Sequence, residues 1–243
     1  CSVSGIAQFI THRGQGELRK WLEEGYDSLQ RYDKNYSDWF AVPRSIKTTS
    51  VKPSGTVSLL AGATPGLHYP ESRFYIRRIR LSKHSELLEP LKKAGYLVEP
   101  AFGSEDTTMV VEVPVDVGEG IRTAAELSIW EQFSLAAFLQ RHWADNQVSC
   151  TVTFDPEKEG KEIPQVLNYF QYHLKGISLL PRHDYGAYPQ MPYEAIEEKE
   201  YNKQVKKLGK LTFGVIHNEE AEVDKFCNND SCEIPGEDLT SEN

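Results

Sequence analysis

Between Ser45 and Leu180 short β-prone runs alternate with helical stretches, and this alternation restricts the fold more than any other feature of the chain. Ser45–Val51 is rich in Ile, Thr and Val and stops at Lys52-Pro53-Ser54-Gly55. Thr56–Ala63 opens a short helix that ends at Gly62 and Thr64-Pro65-Gly66. Phe74–Leu81 sets Phe74, Ile76 and Ile79 against Arg77, Arg78 and Arg80, which reads as a strand with a solvated arginine face. Ser85–Ala94 is helical, with Gly95 suited to its C-terminal cap, and Thr107–Val115 is a strand. Thr123 begins a long helix with Glu126 completing a capping box, and Leu127, Trp130, Phe133, Ala137 and Phe138 form its buried face. Val148–Phe154, Ile163–Leu174 and Ile177–Leu180 follow as strand, helix and strand. Ahead of all these, residues 15–40 place Leu18, Trp21, Leu22, Tyr26, Leu29, Tyr32 and Tyr36 on one helical face, although Gly25 weakens the helix. Such alternation predicts an α/β fold with a largely parallel sheet covered on both faces.

The 243 residues suit one large domain or two small ones, and 39% apolar residues with 17 glycines are enough to build a core. No apolar run approaches the roughly 18 residues of a membrane span. The chain begins Cys1-Ser2-Val3, with neither an initiator Met nor a basic-then-apolar leader, so a processed chain or a piece of a longer one is expected. Of the net charge of −9, residues 219–243 carry −8: nine acidic residues stand there against Lys225 alone. A nearly neutral body with an acidic tail lacks the electrostatic footprint of a protein that binds long nucleic acids. The expected organisation is a folded body over 1–218 and a flexible acidic tail over 219–243. Four cysteines are too few for a disulfide scaffold, which points to a reducing, cytoplasmic compartment.

Two patterns offer chemistry. Pro53-Ser54-Gly55-Thr56-Val57-Ser58 follows a strand and opens a helix, preceded by Lys52. N–H groups and hydroxyls converging there suit phosphate oxygens, although a turn that satisfies only its own helix cap has the same pattern. It is not a Walker A loop, which needs a different glycine and lysine spacing. The second pattern is Cys227 and Cys232, five residues apart within the acidic tail, which reads as a functional dithiol. His217 is the only histidine near them, so no metal is assigned. Cys150 reads as a small hydrophobe within a strand, and His68, His142 and His183 share no metal or catalytic spacing.

Longer stretches carry a family resemblance. Ser45–His68 (SIKTTSVKPSGTVSLLAGATPGLH), Tyr75–Arg80 (YIRRIR), Trp130–Phe133 (WEQF), Asp145–Phe154 (DNQVSCTVTF), Ile177–Pro181 (ISLLP) and the paired tail cysteines resemble, in order, the adenosylcobalamin-dependent class II ribonucleoside-triphosphate reductases. The resemblance covers nearly the whole chain and implies the C-terminal part of a ten-stranded α/β barrel of ribonucleotide reductase type. It implies that Pro53, Ser54, Gly55, Thr56, Val57 and Ser58 receive the substrate phosphates. It also implies that Cys227 and Cys232 form a redox shuttle, re-reduced by thioredoxin or a similar dithiol protein. The acidic neighbours of that pair would raise its thiol pKa values, an unfavourable setting for thiolate exchange. The family's radical cysteine has no counterpart between residues 1 and 149, so this chain alone is expected to be inactive. A non-catalytic phosphate-binding module and a thioredoxin-linked redox interaction protein are the alternatives.

Overall fold

A computed structural model describes residues 1–55, 57–182 and 189–212. In chain order its elements are α1 (Ile6–Arg13), α2 (Gln15–Phe40), α3 (Val57–Leu60), β1 (Phe74–Ser82), α4 (Leu88–Lys93), β2 (Leu97–Pro100), β3 (Thr108–Asp116), α5 (Ile129–His142), β4 (Thr151–Phe154), α6 (Ile163–Phe170), β5 (Ser178–Pro181), β6 (Tyr193–Ala195) and α7 (Glu198–Val205). They divide between two compact units: the described residues of Cys1–Pro70 with Glu119–Asp184, and those of Glu71–Gly118 with Tyr185–Asn243.

The first unit is parallel. β4 pairs with β5 from Thr151↔Ser178 to Phe154↔Pro181. Single parallel bridges at Val51↔Val148 and Ser2↔Ser50 add two further chain segments on the other side of β4. Helices lie between successive segments in the sequence, as parallel neighbours require. Ile6, Leu18, Leu22, Val51, Ile129, Phe133, Leu139, Val148, Val152, Val166 and Phe170 are buried together as the core.

Two expectations are corrected here. Helix α2 does form across Gly25, but only Leu18 and Leu22 of its aromatic-rich stripe are buried; Tyr32 and Tyr36 are 60% and 49% exposed. A Cβ on Gly25 would sit 3.4 Å from the Trp143 ring, which leaves room for alanine but for nothing larger. The helix expected from Thr123 starts later. The Thr123–Glu126 box closes a single 3-10 turn over Ala124–Glu126, and Leu127 is extended at φ −104°, ψ 133°. Ser128 then begins α5 with a second box, its Oγ accepting from the Glu131 N–H while the Glu131 carboxylate accepts from the Ser128 N–H. Two consecutive boxes cannot serve one helix, because a capping residue must itself be non-helical.

The second unit overturns the expectation of a largely parallel sheet. Its strands run in the order β2-β3-β1-β6, and every pairing is antiparallel. β2 and β3 are joined by a short loop containing Gly103 at φ 75°, and such a connection only permits antiparallel neighbours. The arginines of β1 are not a solvated face either, since Arg77 and Arg80 are 3% and 6% exposed. Arg77 lies 4.4 Å above the Tyr193 ring and donates to the Pro192 carbonyl. Arg78 pairs with Glu112 and Glu194 across both neighbouring strands, and Arg80 donates to the Gln190 carbonyl. Gly95 follows α4 at φ 90°, as its capping role requires.

Candidate functional site

The site is built where the chain leaves the parallel ladder. After Val51, Lys52 gives its N–H to Ser2 Oγ at 2.9 Å and the backbone turns away from β4. Ser54 takes φ 53°, a left-handed conformation that costs a non-glycine residue about 1 kcal/mol. Its carbonyl accepts the Ser58 N–H at 2.9 Å and the Ser58 hydroxyl at 2.6 Å, which closes the first turn of α3. Its own Oγ lies 2.5 Å from Ser4 Oγ and accepts the Gly66 N–H at 3.1 Å. Pro53 is half-buried, Gly55 and Ser58 are buried and Val57 is exposed, while Thr56 lies outside the described residues.

The turn therefore stands at the C-terminal end of parallel chain segments, the end at which open α/β sheets place their ligands. Its chemistry is short hydroxyls, backbone N–H groups and the neighbouring exposed Lys52. Hydroxyl and N–H groups of this kind suit phosphate oxygens, although Ser58 gives both of its donors to the Ser54 carbonyl, and Val57 stands exposed beside them. Among the described residues no cluster of three or more His, Cys, Asp or Glu side chains could hold a metal ion.

Sequence patterns missed the residues that brace this turn. Thr64-Pro65-Gly66-Leu67-His68 packs directly on it: Gly66 has φ 49°, and a Cβ there would lie 2.4 Å from the Lys52 carbonyl oxygen. The Gly5 N–H donates to the Thr64 carbonyl and the Ile6 N–H to the Gly66 carbonyl, which fastens the segment to the start of α1. His68, 7% exposed, accepts the Thr151 N–H on Nε2 at 3.2 Å. Farther along β4, Gln132 Oε1 accepts the Thr153 N–H at 3.0 Å while its Nε2 donates to the Thr153 carbonyl at 2.7 Å. Glu159 accepts the N–H groups of both Asp155 and Ile129 and pairs with Arg182 at 3.5 Å. Thr-Pro-Gly was visible in the sequence as a turn, but nothing local assigned it these partners.

Of the four cysteines, Cys150 is buried and its thiol is pushed up to about 12 by desolvation, so it is a core residue rather than a redox group. Cys227 and Cys232 lie outside the described residues.

No family model matches the chain. The adenosylcobalamin-dependent ribonucleoside-triphosphate reductase of Euglena gracilis is 56% identical over 96% of this chain, and the probable one of Dictyostelium discoideum is 55% identical over 96%. These alignments cover 32% and 31% of the two relatives, so the chain spans about a third of their length. The crystal structure of a B12-dependent class II ribonucleotide reductase matches 86% of this chain and 33% of its own, with a TM-score of 0.75 at 34% identity. More than half of the aligned residues are identical over 96% of the chain, and the fold agrees over 86% of it, which leads to one assignment: the chain belongs to the adenosylcobalamin-dependent, class II ribonucleoside-triphosphate reductase family.

Proposed function

We propose that this chain is the C-terminal part of the catalytic barrel of an enzyme that reduces ribonucleoside triphosphates to 2′-deoxyribonucleoside triphosphates. The observation that carries this reading is the 96% of the chain that aligns, at 56% identity, with a reductase of that name. In this reading residues 1–218 belong to the part of the enzyme that completes a ten-stranded barrel, and the four parallel segments of the first unit are consistent with a portion of one. Adenosylcobalamin would supply the radical initiation.

What this chain contributes is substrate binding and electron supply. The turn of Pro53, Ser54, Gly55, Thr56, Val57 and Ser58 holds the triphosphate by N–H and hydroxyl donors, fixing the ribose at one place in the barrel. Replacing a 2′-hydroxyl by hydrogen releases water and consumes two electrons and two protons, which a dithiol provides as it becomes a disulfide. In the tail of residues 219–243, Cys227 and Cys232 then reduce that disulfide by thiol exchange, and thioredoxin or a similar dithiol protein reduces the pair in turn. The reaction places the enzyme in a reducing, cytoplasmic setting.

The test uses the complete protein that contains this chain. Cys227→Ser is expected to leave a single turnover intact and to stop multiple turnovers driven by thioredoxin. Sustained turnover would refute the shuttle. Gly55→Val is expected to raise KM for the triphosphate by blocking approach to the backbone, and an unchanged KM would leave the phosphate assignment without support. Phosphate binding with no reduction under any condition would favour a non-catalytic binding module.

A further inference from the structure

We propose that His68 is a positioning residue for the phosphate turn, acting through the Thr64–His68 segment as a strap between that turn and β4. The inference rests on the phosphate reading given above and adds to it a residue that holds the turn in shape.

Among the described residues, one edge of β4 has no partner strand. Its neighbour leaves at Lys52, immediately after the Val51↔Val148 bridge, so the N–H groups of Thr151, Thr153 and Asp155 lose a partner strand. An unsatisfied backbone donor inside a protein costs about 1–3 kcal/mol. Three side chains replace the missing strand at every second residue: His68 Nε2 at 3.2 Å, Gln132 Oε1 at 3.0 Å and Glu159 Oε2 at 2.9 Å. They keep the turn and β4 apart at a place where two parallel segments would otherwise zip together.

His68 differs from the other two because its own segment also touches the turn. Two residues before it, Gly66 gives its N–H to Ser54 Oγ and packs its Cα against the Lys52 carbonyl. The His68 N–H closes the segment on itself through the Pro65 carbonyl at 2.8 Å. Ser54 is the residue in the turn with left-handed backbone, and such a residue persists only where its surroundings over-determine it. Gly66 N–H and Ser4 Oγ supply that constraint, and His68 anchors Gly66 to the sheet. Accepting from an amide requires Nε2 to carry no proton, which nitrogen chemical shifts report directly.

The experiment compares His68→Leu, His68→Gln and Gly55→Val in the complete protein, reading KM and kcat for a ribonucleoside triphosphate and amide hydrogen exchange at Thr151 and Ser54–Ser58. His68→Leu is expected to speed exchange at Thr151 and in the turn, and to raise KM about tenfold with kcat within about twofold, the value of one lost hydrogen bond. His68→Gln restores an acceptor and is expected to lie within about threefold of the parent in KM. If His68→Leu leaves KM unchanged while Gly55→Val raises it, the strap inference falls and the phosphate reading stands. If both leave KM unchanged, the phosphate reading fails; unchanged turn exchange in His68→Leu then removes the strap as well. Failure of His68→Gln to recover KM, with the protein folded, also overturns the assignment.

Discussion

Gly66 and Lys52 meet backbone to backbone: a Cβ on Gly66 would lie 2.4 Å from the Lys52 carbonyl oxygen and 3.2 Å from that of Pro53. The Pro53–Ser58 turn and the Thr64–His68 segment are thus in a contact that no larger residue permits. The neighbouring atoms are main chain, so no side chain can swing aside to relieve a clash.

Gly66→Ala is therefore expected to destabilise the protein by about 2–4 kcal/mol, combining left-handed strain at φ 49° with displacement of the turn. Denaturant titration measures it. A loss below about 0.5 kcal/mol, the range of ordinary surface changes, would show that the contact is slack.

Glu131 supplies a pH dependence. The Arg122 guanidinium, first, and the Ser128 N–H hold its carboxyl down to about 2 from 4.5. Its side chain is 47% exposed, so solvent screening reduces the associated energy well below what the shift alone suggests. With the folded-state value depressed, the stabilisation is complete above pH 4.5 and disappears as pH falls toward 2. Glu131→Ala should cost about 1 kcal/mol at pH 7 through the lost capping box. The gap between variant and parent should close between pH 4.5 and 2; a constant gap across that window would exclude an ionic contribution.

Gly25 makes a prediction of opposite sign. It sits in the interior of α2, where alanine is favoured over glycine by about 1 kcal/mol. A Cβ would meet the Trp143 ring at 3.4 Å, the near limit of ordinary contact. Gly25→Ala is expected to stabilise by about 0.5–1 kcal/mol, whereas Gly25→Leu drives its branch into Trp143 and costs about 1–3 kcal/mol. Thermal unfolding of the two variants distinguishes a helix kept weak for packing from one that is weak by accident.

What the sequence revealed depended on the range of the interactions. β1 and β3 fall within a residue of their expected bounds because β-branched density is a local signal. The start of α5 was misplaced because Thr123 and Ser128 both carry capping boxes, and only the extended Leu127 separates them. Strand direction in the second unit was not legible, since alternating elements do not say which neighbour a strand will choose. The buried arginines were unreadable for the same reason: Tyr193, Pro192 and Gln190 lie more than a hundred residues from β1. At the candidate site, Pro53–Ser58 stood out as a local motif, whereas His68 gains its meaning only from Thr151, 83 residues away.

Cys150 tests the division between structural and redox thiols. Burial alone pushes its pKa up to about 12, and it lies just ahead of β4 between the core residues Val148 and Val152. At pH 8 a thiol with that pKa is roughly one part in ten thousand thiolate, and the thiolate is the reactive form. Native alkylation with iodoacetamide followed by mass spectrometry should leave Cys150 unmodified and label the exposed Cys1. Denaturation should then expose Cys150 to complete labelling. If Cys150 reacted in the folded protein at a rate comparable to Cys1, the core would open on the labelling timescale, and the parallel segments around it could not serve as a rigid base for the Pro53–Ser58 turn.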